Sequence, residues 1–202
     1  MTKRELRAEM KKKLSGFTSV NFTEEGEAAA SALNASDLWN GFKRVLIYIS
    51  MPDEINTEAL FRAAFKSGKE VYSPKVESEG CMRFFRVEPP VKDGPLYNKA
   101  SFRPGAFGIL EPCGREADVF NMEGPPALVI SPGLAFDRRG NRLGRGKGFY
   151  DRFYEKLFNA SPASAICAFC MENQIVDEVP VEAFDRKVDA ICVKSGLIQI
   201  AR

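Results

Sequence analysis

Apolar residues recur along the chain at two spacings. Leu6, Met10 and Leu14 fall at i, i+4 and i+8 of a highly charged stretch, one apolar stripe on a helix over residues 3–14. Thr23 can cap a second helix running to about Trp39, with Glu25 and Glu27 in its first turns. Residues 45–49 (Val-Leu-Ile-Tyr-Ile) are continuously apolar, the pattern of a strand buried on both faces. A helix is predicted from about Asn56 to Lys66, stopping near Gly68. Residues 70–73 read as a short strand ended by Pro74, and 81–87 as another strand. Residues 127–131 form a second continuous apolar strand, 149–158 a helix, and 164–169 and 190–193 further buried strands.

Strands alternating with helices imply an α/β fold with a mostly parallel sheet covered on both faces. Residues 88–123 are rich in Pro and Gly and read as loop with short strands and turns. No repeat, low-complexity tract or long linker interrupts the 202 residues, so one domain over 1–202 is expected.

Composition narrows the chemistry. With 45% hydrophobic and 28% charged residues, the chain has the profile of a folded globular protein. It contains no histidine, which excludes Ser-His and Cys-His nucleophile pairs, histidine metal ligands and imidazole bases. An enzyme of this composition must work with carboxylates, cations, backbone dipoles and groups supplied by its substrates.

The five cysteines are an odd number, which argues against a secreted disulfide framework. Cys167 and Cys170 form a C-x-x-C, readable as half a zinc site or a redox pair, or as small buried residues of an apolar strand. No second ligand pair accompanies them, which favours the buried strand. The N-terminal segment is charged from its third residue, and no apolar run reaches membrane-spanning length, so a cytoplasmic protein is expected.

Charge is unevenly placed. Lys and Arg total 29 against 27 Asp and Glu, but residues 137–147 hold five cations (Arg138, Arg139, Arg142, Arg145, Lys147) against one acid. Gly140, Gly144, Gly146 and Gly148 are interleaved, and the segment joins a predicted strand to a helix. Ligands of open α/β sheets bind where such loops leave the strands. Glycine lets backbone N–H groups approach an anion, a helix N-terminus adds its dipole, and cations neutralise phosphate. The stretch Gly144-Arg-Gly-Lys-Gly148 therefore reads as a phosphate cradle, or as a solvated basic loop. Its spacing matches neither a Walker A loop nor a dinucleotide fingerprint.

Asp151 follows one turn later, where it could hold Mg²⁺ beside a polyphosphate or stabilise the helix start. Lys3, Arg7 and Lys11 share one face of the first helix, which reads as an ordinary solvated face or as one whose mutual repulsion an anion lying against it would offset. Asp53 and Glu54 follow the first buried strand, where they could meet a ligand or cap the next helix.

The segment Ser131-Pro-Gly-Leu-Ala-Phe-Asp137, continuing as Arg-Arg-Gly-Asn-Arg-Leu-Gly-Arg-Gly-Lys-Gly-Phe-Tyr-Asp151, closely resembles the signature of the 5-formyltetrahydrofolate cyclo-ligases, or 5,10-methenyltetrahydrofolate synthetases. Lys3-Arg-Glu-Leu-Arg7, Met51-Pro-Asp-Glu-Ile55, Ser73-Pro-Lys75, Gly108-Ile-Leu-Glu-Pro112 and Phe184-Asp-Arg-Lys-Val-Asp189 resemble further family segments in order. The resemblance implies a three-layer α/β/α fold of the sugar-phosphate isomerase and CoA-transferase class. It implies a reaction in which ATP and Mg²⁺ convert 5-formyltetrahydrofolate into 5,10-methenyltetrahydrofolate, ADP and phosphate. The formyl oxygen would be phosphorylated and N10 of the folate would close the ring.

Carried onto this sequence, the resemblance implies ATP contacts at Lys3, Arg4, Arg7, Arg142, Leu143, Gly144, Arg145, Gly146, Lys147, Gly148, Phe149 and Tyr150. Met51, Glu54 and Asn56 would face the folate, together with Arg145, Gly146, Lys147, Gly148 and Phe149. Arg145 and Lys147 would act on the transferring phosphate, and Asp151 and Asp185 would carry Mg²⁺. Asn56 departs from the family's acidic residue and supplies only one carbonyl acceptor, a task that Asp53 or Glu54 could take over.

A monomer acting on small molecules is expected, without nucleic-acid or membrane partners. Two other readings stay open. One is a family member that binds ATP or folate without this activity. The other is a single-strand nucleic-acid module using the basic loop with Phe149, Tyr150, Phe153 and Tyr154.

Overall fold

In the computed structural model, which describes residues 1–78, 80–90, 94–97, 101–105, 108–182 and 185–201, the first apolar stripe forms α1 (Lys3–Leu14) with Leu6, Met10 and Leu14 buried. Thr2 and Glu5 close a capping box at its start. Phe184 of the last family-like segment, and residues 91–93, 98–100 and 106–107 of the Pro/Gly-rich stretch, lie outside the described residues.

The single helix predicted from Thr23 is instead two, α2 (Ser19–Asn34) and α3 (Asp37–Asn40). The cap is Thr18, whose backbone N–H donates to Asn21 Oδ1 at 3.0 Å, while the Thr23 hydroxyl lies within the helix and donates to the Ser19 carbonyl. Ser36 makes the break: its hydroxyl donates to the Leu33 carbonyl and accepts from Trp39 N–H. Both are local side-chain bonds that compete with helix continuation.

β1 (Arg44–Leu46) is shorter than the apolar run 45–49, although burial continues to Ile49. α4 (Glu58–Lys66) follows, and then β2 (Glu70–Ser78), which passes through Pro74 rather than ending there. Tyr72 accepts from Ile47 N–H, so alternate residues Tyr72 and Pro74 turn their backbones toward β1. At Pro74 that neighbour has ended, and the Ser73 hydroxyl takes the Ile47 carbonyl at 2.9 Å. No ladder N–H is needed from the proline.

β3 (Cys81–Val87), β4 (Phe102–Pro104), β5 (Leu110–Pro112) and β6 (Ala127–Ser131) come next. They are followed by β7 (Ala135–Asp137), β8 (Arg142–Leu143), α5 (Phe149–Ala160), β9 (Ala165–Phe169), β10 (Ile175–Val176), β11 (Ala190–Val193) and β12 (Gly196–Gln199). Seven strands form one sheet in the order β12-β11-β9-β6-β1-β2-β3. Its inner pairs are parallel, and β12 and β3 are antiparallel edges.

The continuous apolar runs feed two cores. Val45, Ile47, Leu128 and Ile130 face α1, α2 and α4, with Leu6, Leu33 and Phe61. Leu46, Val129 and Ile166 face α5, with Phe153, Tyr154 and Leu157. The period of two thus sends alternate residues to opposite layers. Cys167 and Cys170 are buried free thiols, and burial pushes both well above the ordinary thiol pKa. They belong to this packing, as the apolar-strand reading expects. Among the described residues no helix is long and apolar enough to cross a membrane.

From β1 the chain moves to β2 on one side, whereas from β6 it moves to β9 on the other. The sheet therefore has a switch point between β1 and β6, where a crevice opens beyond the strands' carboxyl ends. The loops after these strands carry Met51, Asp53 and Glu54 on one side and residues 132–148 on the other.

Candidate active site

The crevice holds a cavity of about 560 Å³. Its walls bring together Lys3, Arg7, Met51, Glu54, every residue from Arg142 to Asp151, and Asp185. These come from four separate parts of the chain. Arg4 is exposed on α1, away from the cavity wall.

Asn56 also stands apart from the folate-facing position expected for it. Its N–H donates to the Phe22 carbonyl at 3.0 Å, and its Oδ1 accepts from Glu58 N–H at 2.7 Å. It is spent on starting α4, because Thr57 at the N-cap makes no side-chain cap bond.

The basic loop is shaped by its ends. β7 and β8 pair as a tight hairpin, after which Gly146 (φ 95°) and Gly148 (φ 67°) take the left-handed conformation that L side chains rarely adopt. This turn delivers the chain into α5, whose N-terminus has no side-chain cap. The positive end of the helix dipole thus lies at the cavity.

Arg142 is the buried pillar of the loop, its side chain 5% exposed. Its guanidinium donates to Asp151 Oδ1 at 2.5 Å and to the Pro132 carbonyl at 3.2 Å, and stands over the rings of Tyr150 and Tyr154. Burial opposes its charge, but Tyr154 and Asp151 outweigh that, and its pKa lies above the ordinary arginine value. Among the described residues the Tyr150 hydroxyl is buried without a partner, while that of Tyr154 donates to Ser131 Oγ. Phe153 and Tyr154 are core residues, so the nucleic-acid reading loses two of its stacking aromatics.

Arg145 is tethered across the cavity. It forks onto Asp53 at 2.8 and 3.1 Å, and its Nε donates to Glu54 Oε1 at 3.1 Å. Glu54 Oε2 accepts from Met51 N–H at 3.0 Å, so both of its oxygens are engaged. Burial raises the Glu54 pKa, and the Arg145 charge only partly reverses this. Asp53 and Glu54 therefore anchor the glycine-rich basic loop through Arg145, with both Glu54 oxygens engaged.

α1 closes a third side. Arg7 Nε donates to the Gly144 carbonyl at 3.0 Å. Lys3 pairs with Asp185 at 2.5 Å and Glu182 at 3.1 Å. Burial works against the Lys3 charge, but its bonds to these two acids outweigh it and raise the pKa.

Lys11 and Glu111 also line the cavity and were not assigned from sequence. Lys11 was detectable as the third cation of the Lys3/Arg7 face. Glu111 sits in the segment Gly108-Ile-Leu-Glu-Pro112 and accepts from Val76 N–H at 3.2 Å, beside an apolar flank of Pro74, Val76, Met82, Ile109 and Leu110. No described ion pair neutralises it, unlike Glu54, Asp151, Glu182 and Asp185.

The 5-formyltetrahydrofolate cyclo-ligase family model matches residues 1–194. The mouse 5-formyltetrahydrofolate cyclo-ligase is 32% identical over 196 residues, covering 94% of this chain and 92% of the mouse protein. A probable 5-formyltetrahydrofolate cyclo-ligase of Schizosaccharomyces pombe is 32% identical over 170 residues, covering 80% and 79%. The NMR structure of Aquifex aeolicus 5,10-methenyltetrahydrofolate synthetase superposes with a TM-score of 0.79 at 28% identity, covering 100% of this chain and 94% of that one. With the family model spanning nearly the whole sequence and the fold shared from end to end, the chain belongs to the 5-formyltetrahydrofolate cyclo-ligase family.

Proposed function

We propose that this chain converts 5-formyltetrahydrofolate and ATP into 5,10-methenyltetrahydrofolate, ADP and phosphate, with residues 1–202 acting as one catalytic unit. One observation carries the reading: a single cavity joins a glycine-and-cation loop at an uncapped helix N-terminus to an apolar flank carrying Glu111, a carboxylate with no ion pair among the described residues. The first wall suits a polyphosphate and the second a flat, partly apolar heterocycle.

The chemistry needs no protein nucleophile. The formyl oxygen attacks the γ-phosphorus of ATP, and the bond to the ADP oxygen breaks. The oxygen becomes part of a phosphate leaving group. N10 then attacks the formyl carbon, the carbon–oxygen bond breaks, phosphate departs and the N10 proton is released. The protein must hold two substrates in line and spread phosphoryl charge. Lys147 and the backbone N–H groups of the glycine loop meet the transferring phosphate. Arg145 sits where both substrates meet, and Lys3 and Arg7 bring α1 against the ATP.

The donor set suits Mg²⁺. Asp151 and Asp185 both face the cavity, and among the described residues the bonds to each carboxylate fall on a single oxygen. Among the described residues no three His, Cys, Asp or Glu side chains form a metal cluster. Mg²⁺ is ordinarily bound through one or two carboxylates with substrate phosphates completing the shell. Bound at Asp151 and Asp185, it would neutralise charge on the ATP phosphates.

Glu111 takes the part for which Asn56 is unavailable. A carboxylate can accept two parallel N–H bonds, such as those offered by adjacent amino and ring N–H groups of a pterin. Glu111→Ala is expected to raise the KM for 5-formyltetrahydrofolate about tenfold, through about 1–2 kcal/mol of lost hydrogen bonding, with the KM for ATP unchanged. Steady-state titration of each substrate checks this.

The activity itself is tested by mixing purified protein, Mg-ATP and 5-formyltetrahydrofolate. Appearance of the methenyl chromophore with stoichiometric ADP is expected. ATP hydrolysis that ignores folate, or no turnover, would refute the reading.

A further inference from the structure

We propose that Asp137 is a positioning residue for the nucleotide side of the cavity, locking the basic loop and the segment that carries Asp185 into one register. The proposal rests on the ATP reading for its functional consequence but not for its geometry.

Asp137 ends β7 and is fully buried. Its Oδ1 accepts from Arg139 N–H at 2.9 Å and Asn141 N–H at 3.0 Å. Its Oδ2 accepts from Asn141 Nδ2 at 2.8 Å and Val179 N–H at 3.0 Å. Three of these bonds close the hairpin turn that hands the chain to Arg142. The fourth reaches 42 residues along the chain to the segment that leads to Asp185. Gly140, in the same turn, accepts from Val188 N–H at 2.8 Å. Both ends of the stretch 179–188 are therefore fixed to one turn, and Lys3 docks onto that stretch through Glu182 and Asp185.

A carboxylate is the group this position needs. All four donors are neutral N–H groups, and both oxygens must accept. Asparagine offers one accepting oxygen and would set an amide against two donors. Burial works against the charge here, yet the four bonds hold the carboxyl below its usual range. Among the described residues no cation pairs with Asp137, so its charge is held by these neutral donors alone.

The test is Asp137→Asn, with Mg-ATP and 5-formyltetrahydrofolate binding each measured by calorimetry well below the melting temperature. Mg-ATP affinity is expected to fall at least tenfold, with folate affinity within twofold of wild type. Loss of thermal stability with both affinities unchanged, or equal loss of both, would overturn the proposal. If Asp137→Asn does not fold, Asn141→Ala removes one of the four bonds and is expected to weaken Mg-ATP about threefold with folate unaffected; no change there counts against the lock. A wild-type protein that fails to bind Mg-ATP would sink the nucleotide reading instead. The lock has its own signature in that case, faster amide hydrogen exchange across 179–188 in whichever of these variants folds, and unchanged exchange would overturn it.

Discussion

Lys147→Ala is expected to lower kcat by about 10²–10³-fold, the size of effect seen when one preorganised group facing transition-state charge is removed. Lys147 lies between the two left-handed glycines on the cavity wall, is exposed, and no described ion pair engages its ammonium group. Arg145 differs, being held by three hydrogen bonds to Asp53 and Glu54. Of these two cavity-lining cations, Lys147 is therefore the one free to follow the phosphoryl group as charge develops. Its removal should cost little stability, within about 0.5 kcal/mol, because an exposed loop side chain without a partner packs little. Single-turnover measurements at saturating substrates isolate the chemical step. A near-normal kcat would remove Lys147 from the transition state. A raised KM for ATP with kcat intact would reduce it to a ground-state binding residue.

How much of this was legible depended on range. α1, β3, β6 and β11 could be read almost to the residue, because each is set by its own apolar period. The start of α2 and the break at Ser36 depend on side-chain bonds to the backbone that periodicity does not register. β2 runs past Pro74 only because β1 has already ended, a fact of the neighbouring strand. β7, β8 and β10 are two or three residues long and have no period to detect. In the site, the glycine–cation loop was visible because its residues are contiguous. The Arg145–Asp53 fork spans 92 residues and could only be seen folded. Asn56 stood at the position to inspect, but its side chain is turned to capping, and the carboxylate proposed in its place, Glu111, lies on β5, distant in sequence.

Asp151→Asn should raise the Mg²⁺ concentration for half-maximal activity at least about 100-fold, more than the loss usual for an outer-shell partner of a metal. Asp151 pairs with Arg142 in this structure and is proposed as a metal ligand, and the substitution separates the two roles. As the partner of Arg142 it neutralises a buried cation through Oδ1. An asparagine carbonyl keeps that hydrogen bond but not the charge, so a stability loss of about 1–2 kcal/mol is expected, moderated because the Asp151 side chain is 34% exposed. As a metal ligand it supplies a hard anionic oxygen that an amide replaces poorly. If Asp151 served only Arg142, the variant would melt earlier while its Mg²⁺ titration overlaid that of wild type. Adding Arg142→Met removes the unneutralised cation and should recover part of the lost stability. The Mg²⁺ requirement should stay high in the double variant, because no change at position 142 replaces the missing carboxylate oxygen.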